Sequence, residues 1–295
     1  MARTRELRRR IRSVENTRQI TRTMEMVATS KLKRAQDKVV AARPYAEALA
    51  GVLRDLYGPE LAERFPLLRQ VEAPRRVALI GITSNRGLCG AFNANLIKET
   101  RRRIEELEGA GAQAELHLVG RKGIGYFRFV GREAATRRQD IGDRPTPEHG
   151  AELVDPLMDR FASGELDGVE IVFAKFVSAL STPPTRLAVL PIEAPPADRR
   201  TGGPADRRSP FYILRPDAET LLRAILPLYV RNQVFRALVE TAASEQGARR
   251  TAMKNATDSA GEMIDSLRRT FNRARQAQIT QEIAEIVGGA EALRG

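Results

Sequence analysis

Apolar residues recur at close to a 3.5-residue step through the first fifth of the chain. Leu7, Ile11, Val14, Thr17, Thr21, Met24, Ala28, Leu32, Ala35, Val39, Ala42, Ala46, Leu49, Leu53 and Leu56 form this seam, with threonines as its only polar members. A 3.5 step sustained that far predicts a coiled-coil helix, because the stripe of an ordinary amphipathic helix drifts at 3.6. Pro44 predicts a local kink, and Gly58-Pro59 predicts the helix end. A second seam closes the chain: Leu221, Ile225, Leu228, Phe235, Leu238, Ala242, Ala252, Ala256, Ala260, Met263, Leu267, Phe271, Ala274 and Ala277. Pro216-Asp217 with Glu219 reads as its start, Pro227 as a bend in its first turns, and Glu245, Gln246 and Arg249 as interruptions.

The middle has a different texture. Short apolar runs at 77–83, 115–119, 169–176 and 185–190 read as strands, with helices near 91–108, 121–129 and 147–163. Such alternation predicts a sheet of βαβ units with covering helices. The fold expected is therefore a long antiparallel two-helix coiled coil, formed by the N- and C-terminal helices, with a central Rossmann-like α/β domain. Its divisions are 1–57 for the first helix, 75–192 for the globular domain, 193–216 for a linker rich in Pro, Gly and Arg, and 217–290 for the last helix. Folding the helices together about residues 57 and 217 brings residue 4 opposite about residue 270. The stretch 271–287 then overhangs by about 25 Å at helical rise, carrying Phe271, Ile279, Ile283, Ile286 and Val287. Apolar groups on a projecting helix imply a sleeve supplied by a partner.

Charge sharpens the picture. Forty-nine lysines and arginines stand against 37 acidic residues, a net +12, and two thirds of that excess lies in residues 1–57. A polyanion, an acidic membrane surface or an acidic protein is the natural partner of such a segment. The single cysteine excludes an intrachain disulfide, and two histidines exclude a structural zinc site. No apolar run approaches the ~18 residues of a membrane span, and the basic start lacks a signal-peptide core. A soluble protein of a reducing compartment is the expectation.

Catalytic chemistry is hard to find. Cys89 lies in Gly87-Leu88-Cys89-Gly90, where nucleotide-binding folds place a phosphate loop, but the Lys and Ser/Thr of a Walker motif are absent. The glycines at 120, 123 and 125 do not make the dinucleotide fingerprint, and no histidine stands in a motif that would serve Cys89. Glu105, Glu106 and Glu108 read as a solvated helix face. Arg8, Arg9 and Arg10 suit phosphates or an acidic protein surface equally. Aromatics are 5% of the chain and tryptophan is absent, so no stacking platform accompanies them.

Four runs carry a resemblance. Residues 11–32 (IRSVENTRQITRTMEMVATSKL), 84–90 (SNRGLCG), 244–256 (SEQGARRTAMKNA) and 274–289 (ARQAQITQEIAEIVGG) resemble, in order, the amino-terminal helix, central loop, last helix and carboxy-terminal tip of the gamma subunit family of F-type rotary ATP synthases. Asn85 stands where the family usually has Asp, and Ala174 and Thr182 where it has Asn and Gln. The paired cysteines of the plastid thiol switch are missing, so that switch cannot operate here. The resemblance implies a non-catalytic rotor shaft that binds no nucleotide or other cofactor. It couples proton flow to ATP synthesis by rotating within a head of alpha and beta subunits. Its foot sits on the epsilon subunit and the membrane-embedded c-subunit ring, peripheral to the cytoplasmic face of a bacterial plasma membrane. It also implies that Met24, Arg8, Arg9, Arg249, Arg275, Gln276, Thr280 and Glu282 face the catalytic ring, with Arg275 and Gln276 as polar latches. A basic coiled coil that binds nucleic acid, and a cofactor-free enzyme of the middle domain, are the readings from other classes.

Overall fold

A computed structural model of the 295-residue chain describes residues 2–56, 64–192 and 218–292. Helix α1 spans Ala2–Leu56; after a 3-10 turn at Pro66–Leu68 come β1 (Arg76–Ile82), α2 (Phe92–Gly109), β2 (Gln113–Val119), α3 (Arg121–Phe129), β3 (Thr136–Arg138), α4 (Pro147–Ala162), β4 (Gly168–Ala174), β5 (Pro184–Leu190) and α5 (Ala218–Ala292). The expected stop at Gly58-Pro59, the Asp217 start and the connection 193–216 lie outside the described residues. Pro44 and Pro227 are both accommodated inside their helices. The chain divides into two compact units, Met1–Thr29 with Arg249–Gly295, and Ser30–Ala248.

In the first unit the two helices run antiparallel. Thr4 donates to Gln278 Oε1 at 3.2 Å, the Arg8 guanidinium lies 5.5 Å from the Phe271 ring centre, Arg268 pairs with Glu15 at 2.7 Å, and the Thr21 and Thr257 hydroxyls meet at 2.8 Å. Numbers rise on one helix as they fall on the other. Residue 4 therefore stands beside 278 and not 270, which corrects the expected register. The error came from taking the helix ends as the fold-back point, whereas side-chain packing sets it. Phe271, expected on the overhang, is covered by Arg8. On α5 Leu238, Ala242 and Ala260 of the apolar count are buried, but around 252–257 and 263 the buried positions lie one residue further on. Met253, Thr257 and Ile264 are buried, while Met263 is exposed. Thr257 belongs to the seam because its hydroxyl has Thr21 and the Met253 carbonyl as partners, a solution that counting apolar residues misses.

The second unit is built on a five-stranded sheet of order β3-β2-β1-β4-β5. The first four strands are parallel, and β5 returns antiparallel to β4 through a short connection. Strand alternation sorts side chains between two cores. Ala78, Ile80 and Ile82 of β1 join α4 and the first turns of α5 in one core. Val77 and Leu79 join α2 and α3 in the other. Within this unit α1 meets α5 through Ala35, Val39, Val239 and Ala243, whose small side chains allow close approach.

Residues 237–247 of α5 are buried on every side, so no single stripe marks them. The helix lies on the carboxyl end of β4: the Ala174 N–H donates to Thr241 Oγ1 at 3.3 Å, and Ser244 Oγ donates to the Ala174 carbonyl at 3.1 Å. Glu240 accepts from the Phe176 N–H at 3.2 Å and from Arg236 at 2.8 Å. Glu245, Gln246 and Arg249, expected as seam interruptions, are all buried. Position 174 of this chain thus works through its backbone, and alanine suffices there.

Candidate functional site

The loop after β1 is where a nucleotide-binding sheet would grip phosphate, and here the side chains of Thr83, Ser84 and Asn85 are already engaged. Thr83 Oγ1 donates to Val119 O at 3.0 Å and accepts from the Gly123 N–H at 2.9 Å. Ser84 Oγ donates to Arg86 O at 2.6 Å, and its backbone N–H is taken by Asn93 Oδ1 at 2.9 Å. Asn85 donates to the carbonyls of Gln139 and Ile141 at 2.9 and 3.1 Å, and accepts from the Arg121 N–H at 2.9 Å, at the start of α3. That arrangement needs a carboxamide. In Asn85→Asp both carbonyls lose their donor, at about 1–3 kcal/mol, only partly offset by a carboxylate at a helix N-terminus. A drop in melting temperature of about 2–6 °C is the expected result, read by calorimetry.

Cys89 is buried, its sulfur accepting from Asn93 Nδ2 at 3.1 Å. The histidines stand elsewhere. His149 accepts from the Thr146 N–H in a capping box at the start of α4. His117 shares a 2.9 Å bond with Thr136 between β2 and β3. Among the described residues no group of His, Cys, Asp and Glu is placed to hold a metal, and no helix is long and apolar enough to cross a membrane. Glu106 serves Arg103 and Arg186, and Glu108 serves Arg132, so these carboxylates tie the surface of α2 together.

Burial pushes the His117 imidazolium below its ordinary range, against the opposing pull of Glu115. A histidine held neutral in the fold stabilises fully above the unfolded value near 6.5, and that stability is lost as pH falls toward the folded value. The unfolding free energy should decline below about pH 6.5, by at most about 1.4 kcal/mol per pH unit. In His117→Gln, denaturant titrations between pH 7 and 5.5 should show that slope removed. Asp140 is held down to about 2 chiefly by Arg138, which also grips Glu152. Its contribution therefore persists until strong acid.

The residues implied to face a catalytic ring are distributed as follows. Met24 is half-buried on α1, and Arg8 and Arg9 are exposed, with Arg8 over Phe271. Arg249 is buried and engaged within the chain. Arg275, Gln276, Thr280 and Glu282 are exposed on α5. Glu282 accepts from Gln278 at 2.9 Å, one turn away. Beyond Gln278 the end of α5 exposes Ile279, Ile283, Ile286 and Val287, the third at 72% of its full area. Their spacing puts the isoleucines on one helical face. Seam counting missed a second set: Ile20, Met26 and Val27 of α1 are also exposed. Their apolar character off the seam was the available signal.

Comparison with known proteins follows the same outline. A family model described as ATP synthase matches residues 3–293. The ATP synthase gamma chain of Gemmatimonas aurantiaca is 63% identical over 295 residues, 100% of each chain. That of Desulfitobacterium hafniense is 47% identical over 294 residues, covering 99% of this chain and 100% of its own. Among solved structures, the rotor of the Euglena gracilis mitochondrial ATP synthase superposes with a TM-score of 0.65 at 18% identity, over 94% of this chain and 99% of the other. A chain of the OSCP/F1/c-ring assembly of that enzyme gives 0.68 at 20% identity, over 99% and 95%. At such identities the likeness is one of fold.

Proposed function

Because the chain belongs to the ATP synthase gamma-chain family, we propose that it is the central shaft of a rotary ATP synthase, itself non-catalytic, coupling proton flow to ATP synthesis by turning within the catalytic head. The observation that carries this reading is the full-length match, at 63% identity, to a gamma chain. The paired terminal helices and the apolar end of α5 support it. The nucleic-acid alternative has no support among the relatives.

On this reading α1 and α5 enter a ring of alpha and beta subunits, while the α/β domain, 75–192, meets the epsilon subunit and the c-subunit ring. The chain is then a peripheral part of a membrane-bound complex, at the cytoplasmic face of a bacterial plasma membrane. The Arg8 and Arg9 side chains face acidic protein surface. Met24 lies where the head closes around the shaft. Arg275 offers a planar fork to a carboxylate, Gln276 both donates and accepts, and Thr280 and Glu282 extend the same polar contact. Arg249, buried and engaged within the chain, is the least exposed residue of this set.

The test is Arg275→Ala combined with Gln276→Ala. Both positions are exposed, so the isolated subunit should melt unchanged. Two lost charge-assisted or polar contacts, at about 1–2 kcal/mol each, should lower synthesis and hydrolysis by the assembled complex by about tenfold or more. Unchanged turnover would reject the latch.

A further inference from the structure

We propose that the outer face of α3 docks an acidic helix from another subunit of the assembly, a step that takes from the shaft reading only that such an assembly exists. Positions 121, 122, 125, 128 and 129 share one arc of this helix, and all five are exposed. Three features of the arc work against the isolated chain. Gly125 stands in the helix interior, where glycine is a poor former, and a Cβ there would meet nothing within 4 Å. Gly123, on the inner side, has a reason that Gly125 lacks: its Cβ would stand 2.9 Å from Thr83 Oγ1. Arg121 and Lys122 occupy the first turn, where the helix dipole disfavours positive charge. Phe129 ends the helix with 89% of its area exposed, the largest fraction of any large apolar side chain among the described residues.

The support beneath these residues is firm. The Arg132 N–H reaches Phe127 O at 2.9 Å and the Gly131 N–H reaches Arg128 O at 3.2 Å, with Gly131 at a φ of +76°, which closes the helix end. Arg132 is anchored in turn to Glu108 and to the Ala114 carbonyl. Phe127 is buried below, edge-on to Tyr126. Phe129 is thus presented on a fixed backbone, and docking would order little that is not ordered already.

Charge and shape specify the partner. Residues 121–132 hold four cations and no acid. Arg132 has Glu108, but Arg121, Lys122 and Arg128 form no ion pair among the described residues, so their complement is a row of carboxylates. The bare glycine between them lets a second helix approach to the near end of interhelical spacing, about 8 Å. A helix crossing at Gly125 would set carboxylates against Arg121 and Arg128, offsetting the first-turn charge, and an apolar side chain against Phe129. A lipid surface could take Phe129 and the cations, but it has no use for the glycine.

The test compares the free chain with the complex purified from its own membranes. Gly125→Cys should react with a maleimide about tenfold more slowly in the complex than in the free chain, whose own cysteine is buried. Photoreactive benzoylphenylalanine in place of Phe129 should crosslink, in the complex, to an acidic helical segment of another subunit, identified by mass spectrometry. Arg121→Glu with Arg128→Glu should abolish that crosslink while the free chain melts no lower than before. Gly125→Ala should raise the melting temperature of the free chain by about 2–4 °C, because the glycine serves no contact of its own fold. Equal maleimide rates, an adduct with lipid or with a segment poor in carboxylates, or a lower melting temperature for Gly125→Ala would each overturn the proposal. A chain that purifies without other subunits would instead overturn the shaft reading, and the docking surface with it.

Discussion

Replacing Ile279, Ile283 and Ile286 together by aspartate should reduce ATP synthesis by the assembled complex at least tenfold while leaving the isolated chain as stable as before. The two halves of this result have separate causes. In the chain alone these side chains are 48%, 57% and 72% exposed, so little burial is lost and the melting temperature should move by no more than about 2 °C. In a complex that wraps the helix end, three carboxylates would enter an apolar sleeve, and even partial burial of each charge costs several kcal/mol. Glu285→Gln is the control, since it alters a neighbouring polar side chain and leaves the apolar face intact. Synthesis and hydrolysis would both be measured in native membranes, with subunit content checked by immunoblot. Full activity of the triple variant would mean that nothing encloses this end of α5.

Gly120→Ala should cost the second unit more than about 4 kcal/mol, enough to prevent folding at 37 °C or to lower the melting temperature by more than about 10 °C. Gly120 joins β2 to α3 at a φ of +95°, and a Cβ there would stand 2.0 Å from the Thr83 carbonyl oxygen. Neither side can retreat. The Thr83 N–H is bonded to Val119 O at 2.8 Å, and the Gly120 N–H to Arg138 O at 2.8 Å, which locks the ends of β1, β2 and β3 together. Gly111→Ala separates crowding from backbone strain: its φ is +82°, but nothing lies within 4 Å of the new atom. It should lose only the conformational term, about 1 kcal/mol. Similar melting temperatures for the two variants would show that the Thr83 contact yields.

The legible parts of the fold were those where one physical effect dominates. The α1 seam could be read because Ala28, Leu32, Ala35, Val39, Leu49 and Leu53 bury long or small apolar groups at one step, and the structure buries all six. On α5 the stripe misled in two places. Thr257 and Gln278 enter the helix pairing through hydrogen bonds, so a hydrophobic count shifts the seam toward Met263 and Ala277. Further back, 237–247 is buried all round, and a helix with no solvent face has no stripe to find. Strand β3, with the sequence Thr-Arg-Arg, carries no apolar signal because it is a short edge pairing only with β2. The reversed direction of β5 depends on a connection too short for a helical crossover, and strand composition alone does not report that. The candidate contact residues were visible only through family resemblance. Arg275, Gln276, Thr280 and Glu282 are polar residues on an exposed helix, and nothing in their spacing separates a latch from a solvated face.

The joint between α5 and Ala174 has a mechanical consequence. Most helices that lie on a sheet touch it through interchangeable apolar contacts, which slide under load. Here Thr241 and Ser244 clasp both backbone polar groups of one residue, and that residue ends a strand laddered to β1 on one side and β5 on the other. A torque on α5 in this stretch would be delivered to an interior strand and shared between two ladders, with no free edge to peel. Stiffness would then be greatest at 237–247, and elastic twist would collect in those lengths of helix that lack such a clasp.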